Sequence, residues 1–239
     1  MQPIPLATDL TPTFDWMASR YLDQTVAVSW GRYPQWMSRM AEVIRTFGPR
    51  SVVDAGCGPG WLLRELARRL PKVRLVGVDS SAAMLDRVTP PAERCQERFE
   101  AFSEHHPGEF DVVATSFVLR DTPDPVAFLR AARRVLRQDG HLVLLETHTP
   151  VGWRGTGFRL YFHRLLPWLG EVWLTRDWPQ GQGTPPYRWL SETHAAWHRG
   201  EDLPQWLDAA GFSHPVLHSR PTEVVLLVSA QAKSLRHDR

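Results

Sequence analysis

The stretch VVDAGCGPGW, residues 52–61, decides the fold. Val52 and Val53 belong to an apolar run of the kind buried in a parallel sheet. Gly56, Gly58 and Gly60 follow at alternate positions, and a helical pattern opens at Trp61. A strand, a glycine turn and a helix in that order make a nucleotide-binding turn. The dinucleotide fingerprint G-x-G-x-x-G needs a third glycine for close helix packing. Counted from Gly56 and Gly58, that position holds Trp61, so the fingerprint fails. An acid, Asp54, stands at the mouth of the turn, where it would repel a pyrophosphate.

That acid suits a ligand with an ammonium group. S-adenosylmethionine has one, together with a positive sulfonium and no phosphate. Asp79 comes nineteen residues after Gly60, at the end of the apolar run VRLVGVD (73–79). A carboxylate there accepts from both hydroxyls of a ribose. NAD would use the same acid, so Asp79 supports an adenosine ligand without choosing between the two. Cys57, inside the turn, reads as a small residue that fits beneath the cofactor, not as a nucleophile.

Outward from this turn, strands and helices alternate. Trp36, Met37, Met40, Ala41, Ile44 and Phe47 fall at helical spacing before Gly48-Pro49. Leu62, Leu63, Leu66, Ala67 and Leu70 form one helical face, stopped by Pro71. A short helix over 82–87 is capped by Ser80 or Ser81. FDVVATSF (110–117) is a strand. Asp124-Pro125 opens a helix by cap and first-turn proline, and Gly140 is expected to end it. HLVLLE (141–146) is the next strand. Residues 92–109 show no clear period, and the proline-bearing residues 1–12 read as a loose arm.

The expected class is therefore α/β: a Rossmann-like, doubly wound, mostly parallel seven-stranded sheet. An N-terminal helical cap and an insertion after the fifth strand complete it. We expect one domain over 1–239. It divides into a helical cap (1–48), a cofactor-binding core (49–149), a substrate-covering insertion (150–200) and a last helix with a C-terminal strand pair (201–239).

Composition excludes several classes. Hydrophobic residues make up 43% and charged residues 23% of 239 positions, and the net charge is +2, which is ordinary for a soluble domain and gives no reason to expect a nucleic-acid partner. Two cysteines, Cys57 and Cys95, are too few for a disulfide framework. The opening MQPIPLATDLTPTFDW has neither a basic nor an apolar leader region, and no apolar run approaches the ~20 residues of a membrane span. A cytoplasmic location is expected. Eleven tryptophans are many for this length, and seven lie between 153 and 206. They suit core and lid packing, an aromatic cavity or a membrane-interface surface. His194 and His198 stand i, i+4, but no third ligand or H-E-x-x-H accompanies them, so no metal is expected.

The turn and the acid after it resemble the cofactor motif of class I S-adenosylmethionine-dependent methyltransferases over roughly residues 50–147. The flanks narrow the resemblance. FDWMASRY (14–21), SFVLRDTPDP (116–125), LLETHTP (144–150), LLPWLG (165–170), YRWLSE (187–192) and LDAAGF (207–212) resemble, in order, segments of the ubiquinone/menaquinone biosynthesis C-methyltransferases. The resemblance implies methylation of a ring carbon of a prenylated quinol, with menaquinol as the preferred product. It implies that Asp79 binds the ribose, that Ser116 lines the cofactor site, and that Gly56, Gly58 and Gly60 pass beneath the methionine part. Asp54, Ser80 and Met84 join this cofactor set, and a backbone N–H near Arg98 or Phe99 flanks the adenine. The chain departs from the family at Leu22, at Asp121, between Gly170 and Tyr187, and in TEVVLLVSA (222–230).

A quinol carbon becomes nucleophilic when the adjacent hydroxyl loses its proton. Arg120 matches the family's arginine and is expected to orient the quinol and stabilise the oxyanion. Tyr21 matches the family's tyrosine and lines the pocket or the cofactor cleft. Asp121 and His148 are candidate bases read from this chain's own residues. The apolar stretch 158–169 is expected to cover a prenyl tail, to meet a membrane peripherally, or to form lid core or a homodimer contact. Two other readings stay open: an O- or N-methyltransferase of another hydrophobic small molecule, and a non-catalytic cofactor-binding partner protein.

Overall fold

The computed structural model describes residues 9–179, 184–196 and 202–233. Trp197 and His198 lie outside the described residues, so the i, i+4 histidine pair has one described member.

Three helices precede the sheet: α1 (Thr11–Met17), α2 (Tyr21–Val28) and α3 (Tyr33–Thr46). The buried residues of α3 are Tyr33, Met37, Met40, Ala41 and Ile44, one stripe at helical spacing. β1 (Ser51–Ala55) leads through the glycine turn into α4 (Trp61–Arg69), and β2 (Arg74–Asp79) into α5 (Ala82–Leu85). Ser81 caps α5 by accepting from the Met84 N–H. β3 (Glu93–Gln96) and α6 (Phe99–His105) fill the segment that shows no sequence period. β4 (Phe110–Ser116) is followed by one turn of 3-10 helix, Leu119–Asp121.

Asp124 caps α7 (Pro125–Val135) through the Ala127 N–H. The expected end at Gly140 is corrected here. α7 stops at Val135, and β5 (Leu136–Thr147) starts at once. A register shift opposite Phe110–Val112, with Asp139 at positive φ, absorbs residues 137–140 as an irregularity of the strand. Gly140 thus belongs to the sheet.

Residues 153–174 are helical throughout: α8 (Trp153–Leu160), a π turn (Tyr161–Leu165), α9 (Leu166–Leu169) and a second π turn (Gly170–Leu174). α10 (Pro186–Ala196), α11 (Leu203–Ala209), β6 (Phe212–Leu217) and β7 (Val225–Ala232) complete the chain.

The seven strands take the order β3-β2-β1-β4-β5-β7-β6. β1 to β5 pair parallel with one another, and β7 is antiparallel to both of its neighbours, β5 and β6. The strand order reverses between β1 and β4, which opens a crevice at the carboxyl ends of those strands. Side-chain alternation splits the core between two faces. Val53, Ala55, Leu142 and Leu144 pack with α6, α7 and α11. Val52, Ala114, Val143 and Leu145 pack with α3 and α4. Asp54 shares the parity of Val52 and so faces α3 and α4, where Tyr33 lies.

The turn after β1 tolerates no side chain at Gly56. Its φ is +70°, and an added Cβ would lie 2.5 Å from Val118. Left-handed backbone costs a non-glycine residue about 1–2 kcal/mol and overpacking a further ~1–3. Gly56→Ala is expected to lower the melting temperature by roughly 5–15 °C. Adding Val118→Ala should return part of that loss. An unchanged melting curve for Gly56→Ala would refute the close approach. Gly77, opposite Asp54 in β2, explains Cys57 in the same terms. A Cβ at Gly77 would come within 2.8 Å of the Cys57 sulfur, so the thiol fills space against the sheet.

Candidate active site

Two cavities meet at the crevice. The smaller, of about 190 Å3, lies over the ends of β1, β2 and β4. Gly56, Gly58, Asp79, Ser80, Met84, Arg98, Phe99 and Ser116 all line it. The Asp79 carboxylate accepts the Gly58 N–H at 2.8 Å and the Ser81 N–H at 2.9 Å. Those two bonds tie the glycine turn to the end of β2. Burial raises the Asp79 pKa, and the same N–H donors partly offset it. α1 closes the cavity from above. The Thr11 hydroxyl donates to Ser80 at 3.0 Å, and Ser81 donates to Asp15. Part of the expected loose arm is thus a helix seated on the site.

Asp54 and Gly60 are not on this cavity wall. Gly60 carries the left-handed N-cap of α4. Asp54 is buried beneath the turn, and its Oδ1 has no hydrogen-bond partner. Burial, with the nearby charge of Asp79, pushes its pKa up to about 8. An unpartnered buried carboxylate oxygen is costly unless something positive meets it.

The larger cavity, of about 910 Å3, lies between the N-terminal helices and residues 147–190. Its lining is mostly aromatic and aliphatic, including Tyr33, Trp36, Phe117, Phe158, Tyr161 and Tyr187. Leu10, Phe14, Tyr21, Phe117 and Asp121 line both cavities and form their shared wall. Phe117 holds that place with φ +60°, a strained conformation for a bulky residue, and its N–H bonds the Leu145 carbonyl at 2.8 Å. Tyr21 is half-buried there, and burial pushes its pKa up to about 12.

Beside this wall sits a buried ionic cluster. Arg120, on the 3-10 turn, pairs with Glu146 at the end of β5 at 2.5 Å and lies 3.4 Å from Asp121. Glu146 is fully buried. Burial works against the Arg120 charge, but Asp121 and Glu146 outweigh it and hold the guanidinium above its usual range. Burial likewise pushes the Asp121 carboxyl up, against the pull of Arg120. Asp121 Oδ1 has no partner within hydrogen-bond distance. The site therefore presents a fixed cation and a carboxylate of raised basicity between two cavities.

The structure brings Arg120, Tyr21 and Asp121 together on the larger cavity and leaves His148 off it. The His148 N–H of the backbone bonds the Val224 carbonyl, and burial lowers the imidazole pKa. His194, on α10, meets His163 at 3.3 Å. Burial, with His163 and Arg120 nearby, lowers its pKa to about 3. Among the described residues no group of side chains is arranged to hold a metal ion.

Three contributors are absent from the sequence expectations. Glu146 is one; its signal is an acid closing the apolar run HLVLLE. Tyr187 and Gln24 are the others. The Tyr187 hydroxyl bonds Gln24 at 3.0 Å, and Gln24 bonds the Leu174 carbonyl at 2.8 Å. This buried chain fastens the insertion to α2. The apolar stretch 158–169 divides. Phe162 and Leu166 are buried with Tyr187, Phe158 and Tyr161 line the cavity, and Leu160, Leu165 and Trp168 are exposed.

Residues 29–216 match the methyltransferase domain family. The demethylmenaquinone methyltransferase of Deinococcus radiodurans is 34% identical over 85% of this chain and 81% of its own. That of Thermus thermophilus is 32% identical over 84% and 91%. Among solved structures, the plantazolicin methyltransferase BpumL in complex with SAH superposes with a TM-score of 0.65 at 15% identity, covering 93% of this chain and 91% of that one. A SAM-dependent methyltransferase from Aquifex aeolicus gives a TM-score of 0.52 at 14% identity, covering 80% and 88%. These structures share the fold.

Proposed function

Because the chain belongs to the methyltransferase domain family, we propose that it carries a methyl group from S-adenosylmethionine to a ring carbon of a prenylated quinol, with demethylmenaquinol as the acceptor. One observation carries this reading. A cavity over the glycine turn and a large aromatic one share a wall at which Tyr21, Phe117 and Asp121 meet, with Arg120 beside it on the larger cavity. The names of the Deinococcus and Thermus relatives support the acceptor.

The residues present fit the cofactor. The orphaned oxygen of Asp54 offers a partner for an ammonium group. Gly58 has open space where a Cβ would stand, which leaves room for a ligand against the backbone. Asp79 lines the same cavity and retains acceptor capacity beyond its two N–H bonds. S-adenosylmethionine supplies an activated methyl on a sulfonium.

The chain's part is to place the acceptor carbon in line and exclude water. Arg120, held by Glu146, stabilises the negative charge that develops on the quinol oxygen. Asp121, with its basicity raised by burial, takes the hydroxyl proton. With the cofactor bound, its methyl would pass to the ring carbon so activated; the proton displaced from that carbon would leave to solvent, and Asp121 would return its proton to the quinol oxygen. His148 lies off the cavity and has no part in this scheme.

The test is expression in a strain lacking this methylation step, with mass analysis of its quinones. Restored methylated menaquinone is expected, and an Asp121→Asn variant should restore it far less. An unmethylated pool, with methyl transfer to other apolar acceptors by the purified enzyme, would replace the quinol with another acceptor class.

A further inference from the structure

The helical segment 153–174 carries an exposed apolar face that meets the larger cavity only at Trp153 and Leu165. Trp153 is 81% exposed, Leu160 67%, Trp168 58% and Trp173 74%. An uninterrupted α-helix turns about 100° per residue and would carry Trp173 round toward the buried side. The two π turns each take an extra residue, and so keep Trp153, Leu160, Leu165, Trp168 and Trp173 on the solvent side. The opposite side, with Phe162, Leu166 and Gly170, is buried. π turns concentrate at functional sites.

Charge accompanies this face. Arg154, Arg159, Arg164 and Arg176 are exposed along it, and none pairs with a carboxylate among the described residues. The segment's own acids are already engaged: Glu171 with Arg188, and Asp177 with Arg20. Tryptophan at headgroup depth and arginine on phosphate are what an interfacial helix uses. Two copies meeting about a twofold axis would instead bring these arginines together with no free acid to meet them. The face is also continuous with the larger cavity, since Trp30, Trp153, Arg154 and Leu165 line that cavity and are exposed. No helix among the described residues is long and apolar enough to cross a membrane, so contact would lie in the interface plane.

We propose that the solvent face of residues 153–176 docks on an anionic lipid bilayer and sets the mouth of the larger cavity against the lipid. The inference does not depend on which acceptor the enzyme methylates.

Flotation of the full chain tests it, using vesicles of phosphatidylcholine alone and of phosphatidylcholine with phosphatidylglycerol. The protein should float with the anionic vesicles and remain mostly below the neutral ones, and added salt should weaken the binding. Trp168→Ser with Trp173→Ser should reduce the bound fraction about tenfold with the melting temperature unchanged, because both side chains are exposed. Arg159→Gln with Arg164→Gln should remove most of the preference for anionic lipid. The proposal is overturned if the wild type floats with neither vesicle, or if the tryptophan variant floats like the wild type. It is also overturned if that variant abolishes self-association in sedimentation velocity and leaves flotation unchanged, since the face would then join two copies.

Discussion

Arg120→Ala is expected to lower turnover with a demethylated quinol by about 10²–10³-fold, the cost of removing a preorganised charge stabiliser. The same change removes the charge partner of Glu146, a fully buried carboxylate that would keep only neutral donors such as the Thr147 N–H and hydroxyl. Breaking a buried pair from one side costs about 3–5 kcal/mol. For a chain of this size that corresponds to a melting temperature lower by roughly 6–20 °C. The two effects separate in a second variant. Arg120→Met with Glu146→Leu replaces the pair by apolar groups of similar volume, which restores stability in comparable cases. It leaves no cation at the shared wall. Steady-state kinetics and thermal unfolding of both variants therefore decide the role. Recovery of stability without recovery of turnover assigns Arg120 to the chemistry. Recovery of both would make the pair a structural bolt, and full turnover in Arg120→Ala would remove Arg120 from the scheme.

Glu146 also shows where sequence reading stops. Asp54 stands out because it closes an apolar run beside a glycine turn, and Asp79 because it closes the next apolar run nineteen residues after that turn. Glu146 closes an apolar run too, but its meaning lies in Arg120, 26 residues earlier. Tyr187 and Gln24 are 163 residues apart. No period in the chain connects such partners. β3 hides for another reason. It is an edge strand with a single neighbour, and its sequence, ERCQ, is largely exposed. A strand with no buried face leaves no alternation to read. α7 fails only at its end. Leu136 continues the apolar pattern of Val135, so the pattern does not mark where helix becomes strand.

The insertion is the largest case. Between 150 and 200 the sequence breaks the rhythm of strand and helix, yet 153–174 is helical from end to end. The π turns explain the break. Each shifts the hydrophobic period by one residue, so no single 3.6-residue template fits the whole segment. Pro167 adds to the effect, but it stands in the first turn of α9, where the lack of an N–H is tolerated. The same shifts that hide the helix from a periodic reading hold its tryptophans on one side.

Asp54→Asn is expected to weaken S-adenosylmethionine binding by at least tenfold and at the same time to stabilise the free protein. Both follow from burial. In the free protein burial pushes the Asp54 pKa up to about 8, against an ordinary value of 3.8. The folded state therefore holds a proton that the unfolded state has lost between those two values. Stability from this group then falls as pH rises from about 4 to about 8, and the penalty stays constant above. At about 1.4 kcal/mol per unit, the full effect is several kcal/mol. The amide carries no such penalty, so the variant's advantage in thermal unfolding should grow across that window. An ammonium group seated on Asp54 reverses the balance by favouring the charged form, so binding near pH 7 must release the Asp54 proton. Calorimetric titration in buffers of different ionisation enthalpy should show more proton release for the wild type than for Asp54→Asn. Protons from the ligand's own amine appear in both titrations and cancel in that difference. Equal affinity in the two proteins, with equal proton release, would mean that the carboxylate does not meet the ammonium and that the turn binds its cofactor by backbone and Asp79 alone.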